Sequence, residues 1–158
     1  MSVVSDTSPI LYLLLIDRLE LLPRLYQTIH IPEMVRDEMQ ASGAPLSLQQ
    51  WIAAPPAWLE ICPNPTEDIS TLQRLQAGER AAILLAISLQ ADLLIVDDRD
   101  ARSIAQQLGL QITGMLGILG EAAKRNWIDF PSTLDRLLQE TNFRASPQLI
   151  RDLLEQFS

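Results

Sequence analysis

Five carboxylates carry the chemistry this sequence can do: Asp6, Glu38, Glu79, Asp97 and Asp98. Asp6 ends the short apolar run "VVSD", and Asp97 and Asp98 end "LLIVDD". If both runs are strands of an open parallel sheet, their carboxyl ends border the crevice where such sheets place function. Glu38 falls in the helix after a second strand, and Glu79 in the first turn of the helix before "LLIV". No histidine, cysteine or lysine accompanies them. An all-carboxylate set suits hard, oxygen-preferring cations, Mg²⁺ or Mn²⁺. Such ions polarise a phosphoryl oxygen, position a leaving group and acidify water; two of them about 4 Å apart would serve in-line hydrolysis of a phosphodiester.

A structural role competes for each acid. Asp6 as a helix cap is largely redundant, because Ser8 and Pro9 already read as N-cap and first helical residue. Asp98 reads equally as the cap of the helix near Arg99, and Asp97 as the end of its strand. Yet two adjacent acids after an apolar run repel each other unless something positive lies near. Glu79 is favoured in a first turn by the helix dipole. Glu38 alone reads as a solvated helix carboxylate like Glu33 and Asp37, and Asp100 as exposed. His30, the single histidine, lies within a strand and reads as a core or surface residue. Cys62, the single cysteine, has no partner base in the sequence and reads as inert. One histidine and one cysteine exclude the usual His/Cys zinc sites, and one cysteine excludes an internal disulfide. Neither glycine-rich phosphate loops nor a G-x-S-x-G nucleophile motif is present. The glycines of "GMLGILG" read as close helix packing.

The elements that must position the acids follow from pattern. "SVVS", "TIHIP", "AWLEIC", "ADLLIVDD" and "LQIT" read as short strands. Between them fall helices: "SPILYLLL", a continuation through "IDRLELLPRLY" broken at Pro23, "PEMVRDEMQA", "PLSLQQWIAA", "EDISTLQRLQ" giving way at Gly78, "GERAAILLAISLQ" and "RDARSIAQQLG". "GMLGILGEAAKRN", "PSTLDRLLQET" and "SPQLIRDLLEQF" close the chain as three more. Strands alternating with helices argue for an α/β fold on a parallel sheet. A length of 158 residues suits one domain, 1–158, and 47% hydrophobic content supplies a core built mostly of Leu, Ile, Val and Ala. No apolar run approaches a membrane span, and "MSVVSD" lacks the basic start of a signal peptide. A reduced, cytoplasmic protein is the expectation. The net charge of −8 opposes nucleic-acid binding, except where clustered carboxylates are neutralised by bound cations. The arginines are scattered and Lys124 is the only lysine.

Taken in order, "VVSDTSPI", "IPEMVRDEM", "AGERAAILLAI", "ADLLIVDDRDAR" and "GLQITGMLGIL" resemble the PIN domain, above all its small prokaryotic branch that opens Ser-Asp-Thr-Ser-Pro. The resemblance runs from Val3 to about Phe157. It implies a three-layer α/β/α sandwich with a central parallel sheet of four or five strands and C-terminal helices. It also implies a Mg²⁺- or Mn²⁺-dependent ribonuclease. By position, Asp6 matches the first acid, and Glu38 the acid of Pro-x-x-Val-x-x-Glu (Pro32, Val35, Glu38). Glu79 matches the third, and Asp98 the last, of a Thr-x-Asp pattern in which Val96 replaces the threonine. That replacement leaves Asp97 and Asp98 both open as metal ligands beside Asp6 and Glu79. Thr7, Ser8 and Thr113 are implied to position waters around the metal, and Arg99 and Arg102 to meet substrate. Lys124, Arg125 and Arg144 are further cations whose place beside the acids would favour access by RNA. Similarity to VapC-type toxins implies a small antitoxin partner and a homodimer. The rival is a degenerate PIN-like protein that binds RNA or a protein without cutting. A haloacid-type phosphatase fits less well, since Thr7 and Ser8 stand where its D-x-D motif needs the second aspartate.

Overall fold

The computed structural model describes residues 1–157. Five short strands form one wholly parallel sheet: β1 Val3–Ser5, β2 Ile29–Pro32, β3 Leu59–Cys62, β4 Leu93–Ile95 and β5 Ile112–Thr113. The order across the sheet is β3-β2-β1-β4-β5. The chain therefore builds outward from β1 through β2 to β3, then returns to lay β4 on the other side of β1. Helices α1 Thr7–Leu15, α2 Leu21–Tyr26, α3 Glu33–Gln40 and α4 Leu46–Ala53 precede α5 Ala77–Ser88, and α6 Arg99–Gln107 follows β4. The chain ends in α7 Met115–Lys124, α8 Phe130–Glu140 and α9 Pro147–Gln156. This is a three-layer α/β/α sandwich, the architecture that the resemblance implies.

Alternation along the strands divides the core in two. Val3, Ile29, Ile31, Leu59 and Ile95 face one layer, where Ile10, Leu13, Val35, Met39, Ile118 and Leu134 meet them. Val4, Leu94 and Val96 face the other, packed on Ala82, Ile83 and Ala86 of α5 and Ala101, Ile104 and Ala105 of α6. The closing helices seal the first layer, where Phe157 stacks on Phe130 at 4.6 Å between ring centroids. No helix among the described residues is long and apolar enough to cross a membrane.

Local boundaries depart from sequence pattern in four places. Helix α1 starts at Thr7, not after Ser8, so Asp6 occupies the N-cap position and Pro9 is its third residue. Pro9 is tolerated because first-turn amides lack intrahelical partners anyway. The same holds for Pro23, which sits in the first turn of α2 instead of breaking a helix. The stretch expected as the helix "EDISTLQRLQ" forms only a 3-10 turn, Ser70–Leu72. Ile69, Leu72 and Leu75 carry its apolar contacts, and that spacing of three matches the 3-10 period, not the 3.6 of an α-helix. Helix α5 starts earlier than Gly78, which it contains.

Candidate active site at the carboxyl end of the sheet

The reversal of strand order at β1 opens a crevice between β1 and β4, the switch point at which open α/β sheets bind ligands. Ser5 pairs with Ile95 across it, and the Asp6 amide donates to the Ile95 carbonyl at 3.1 Å. Asp6 and the residues after β4 are thus delivered to one place by sheet register. Asp6 is 4% exposed, the one charged residue buried among the described residues. Although it stands at the N-cap, its side chain makes no cap hydrogen bond. Burial pushes its pKa up from 3.8 to about 7; the Thr7 amide beside it opposes the rise, and the charges of Glu79, Glu38 and Asp97 add to it.

Glu38 reaches the same end of the sheet from α3. Its Oε1 accepts from the Thr7 hydroxyl at 2.7 Å and its Oε2 from the Gly78 amide at 3.0 Å. Glu38 is therefore held from two sides and is not a solvated helix acid. Gly78 is a requirement of that contact: a Cβ there would fall on the Glu38 carboxylate. Glu79 follows in the first turn of α5, where it accepts from the Gln76 amide at 3.3 Å in a capping box. Burial raises its pKa, and the charge of Asp98 raises it further, then those of Glu38 and Asp100; the Gln76 amide lowers it.

The two aspartates after β4 separate into different roles. Asp98 caps α6, its Oδ2 accepting from the Ala101 amide at 3.0 Å. Asp97 turns inward. Its Oδ1 accepts from the Met115 amide at 2.9 Å, while its Oδ2 is buried without any hydrogen-bond partner. Burial raises its pKa against the pull of the Met115 amide and of Arg102. An ionised oxygen left bare in the interior is costly, and a cation is the natural partner for it. The oxygen donors of Asp6, Glu38, Glu79 and Asp97 are of the kind that a hard divalent ion takes, so their chemistry suits Mg²⁺ or Mn²⁺.

The remaining expected residues fall into place less evenly. Thr7 spends its hydroxyl on Glu38, and Thr113 Oγ1 lies against Gly117 of α7. Ser8 is half-buried in the first turn of α1. Arg102 donates to the Val96 carbonyl at 2.8 Å, bracing the turn that carries Asp97. Arg99 is exposed at the start of α6. Arg144 acts at the site's margin: Tyr12 feels both Asp97, which raises its pKa, and Arg144, which lowers it, after the larger effect of burial. Lys124 pairs with Glu121, and Arg125 and Arg24 lie over the Trp127 ring, at the end of α7 remote from Met115. Sequence reasoning missed Gly78 and Gly114. A Cβ at Gly114 would strike Asp97 and Arg102, and Arg80 helps line a groove of about 210 Å³ with Met34, Asn64 and Thr66.

Comparison with known proteins agrees with this architecture. A family model described as DUF3368, PIN domain, matches residues 2–158. Among solved structures, the chain is similar to a PilT N-terminus domain protein from the hyperthermophilic archaeon Sulfolobus solfataricus. The identity is 18% and the TM-score 0.52, covering 92% of this chain and 100% of the other. No curated protein matches.

Proposed function

Because the chain belongs to the PIN-domain family, whose model spans residues 2–158, we propose that it is a Mg²⁺- or Mn²⁺-dependent ribonuclease that hydrolyses phosphodiester bonds. The observation that carries this reading is the bare, buried Oδ2 of Asp97 beside an Asp6 whose pKa is driven to about 7 by burial and by three neighbouring acids. Such a cluster is frustrated without a cation and satisfied with one.

Asp6 and Asp97 are the residues that would hold the metal, with Glu79 and Glu38 completing the acidic wall; Asp98 lies next to Glu79 as cap and outer acid. Bound there, a divalent ion supplies charge stabilisation at the phosphoryl group and acidifies water. The chain's own groups do the positioning. Thr7 and the Gly78 amide fix the Glu38 carboxylate, and Arg102 and the Met115 amide fix Asp97. Arg99 and Arg102 are the substrate-side cations of α6, Arg99 being the exposed one. The resemblance to VapC-type toxins extends the proposal to the toxin of a toxin–antitoxin pair, a homodimer with a small protein partner.

Asp6→Asn tests the reading. It should abolish Mn²⁺-dependent cleavage of single-stranded RNA while leaving the far-ultraviolet circular dichroism unchanged. Equal activity of variant and wild type would reject the assignment. The net charge of −8 favours one second reading, a PIN-like protein that binds RNA or a partner without cutting. Mn²⁺-stabilised protein with no cleavage of any RNA would select it.

A further inference from the structure

The two outer strands on the far side of β1 from β4 carry a cluster that the acid site does not use. His30 on β2 and Glu60 on β3 are register partners, so their side chains stand on one face of the sheet; Cys62, two residues along β3, shares that face. His30 Nδ1 lies 3.6 Å from Glu60 Oε2 and 3.7 Å from Cys62 Sγ. One donor atom from each of the three falls within 4.8 Å of the others. The nitrogen–oxygen separation is too long for a hydrogen bond, which spans about 2.7–3.2 Å. It is close to what two ligands of one ion require. Tetrahedral zinc, with bonds of about 2.0–2.1 Å to nitrogen or oxygen and 2.3 Å to sulfur, sets its donors roughly 3.3–3.6 Å apart.

The donors are graded in exposure. His30 is 18% exposed and Glu60 62%, with Cys62 half-buried between them. Two inner donors are held by the sheet, and the outer carboxylate is exposed and free to swing toward them. A nitrogen, a thiol sulfur and one carboxylate form a borderline-soft set that suits Zn²⁺, unlike the all-oxygen site of Asp6. We propose that His30, Glu60 and Cys62 are a zinc site of three protein ligands, its fourth position open to water. The site is separate from the carboxylate cluster and independent of the ribonuclease reading. The ion would tie the exposed edge strand β3 to β2, whose end at Pro32 leads directly into α3 and Glu38. Neither the lone histidine nor the lone cysteine suggests this from sequence; strand pairing supplies the juxtaposition.

Co²⁺ reports on such a site. One equivalent added to the metal-stripped full chain should give a thiolate-to-cobalt charge-transfer band in the near ultraviolet. It should also give the intense visible bands of tetrahedral Co²⁺, and Zn²⁺ should erase both. Cys62→Ser should remove the charge-transfer band. His30→Gln should weaken binding by at least the roughly tenfold that even an outer partner of a metal ligand is worth, and Asp6→Asn should leave the charge-transfer band as it is. Metal-free melting curves establish that each variant folds, and Glu60→Gln, at an exposed position, replaces His30→Gln if that variant does not. Absence of the charge-transfer band at equimolar Co²⁺ overturns the proposal. So does a band abolished by Asp6→Asn, or one that survives in both His30→Gln and Glu60→Gln.

Discussion

Asp6 is the residue at which stability and chemistry pull apart. A carboxyl whose pKa rises from 3.8 to about 7 on folding keeps a proton that the unfolded chain releases. In metal-free protein, stability is therefore greatest below pH 3.8 as far as this group is concerned. It declines as pH rises through about 7 and is flat beyond. Melting in EDTA across that range should show the decline, and Asp6→Asn should flatten it and raise Tm at pH 8. Mg²⁺ or Mn²⁺ at about a hundredfold excess over Kd should raise wild-type Tm at pH 8 by roughly 5–10 °C; the same addition should leave Asp6→Asn unmoved. A second residue-scale prediction separates the adjacent aspartates. Asp97→Asn should lose both the metal-induced shift and cleavage. Asp98→Asn keeps a good N-cap and should fold normally, whereas Asp98→Ala should cost about 1 kcal/mol through loss of the bond to the Ala101 amide. Asp97→Asn with wild-type metal response would return the ligand role to Asp98.

Helices α1, α3 and α5 meet at one point, where Thr7, Glu38 and Gly78 touch. Gly78→Ala places a methyl on the Glu38 carboxylate, yet α5 tolerates alanine well. The variant should fold with a small change in Tm and lose cleavage by about 10²-fold, the usual consequence of an ångström-scale misplacement; steady-state kinetics beside a melting curve checks both halves. This contact also marks what sequence pattern could and could not show. The strands at Val3, Ile29, Leu59, Leu93 and Ile112 were legible because apolar, β-branched runs alternate with helical ones, and that alternation dictates a parallel sheet. The placement of Asp6 and Asp97 was legible from strand ends alone. Glu38 looked like its solvated neighbours, since only tertiary packing brings Thr7 and Gly78 to it. Ser8 looked like a cap because Ser-Pro commonly opens helices, as Ser146 and Pro147 do in α9; at α1 the cap falls two residues earlier, on Asp6, whose amide is held by the Ile95 carbonyl. Cys62 looked inert because its neighbour His30 comes from another strand, 32 residues away.

For the whole molecule the question is how a chain of net charge −8 engages a polyanion. Cations near the acidic crevice are few: Arg102 beside Asp97, Arg99 at the start of α6 and Arg144 beside Tyr12. Elsewhere several basic groups are spent on neighbours, Arg36 with Glu33 and Asp37, Lys124 with Glu121, and Arg136 with Glu140. If RNA is held by about three arginines together with metal ions in the acid cluster, salt dependence should be shallow. Each phosphate neutralised on a single strand contributes a slope of about −0.7 in log K against log salt, so the slope at fixed Mn²⁺ should be near −2. A nuclease with a basic track across its surface would show a slope several times steeper. Removing Arg99 should reduce the slope by roughly one phosphate's worth and raise KM more than it lowers kcat, because an exposed arginine that grips phosphate acts on ground and transition states alike. A steep slope that depends on protein concentration would instead place the missing cations on a second copy or a bound partner, and gel filtration across the same concentrations would show which.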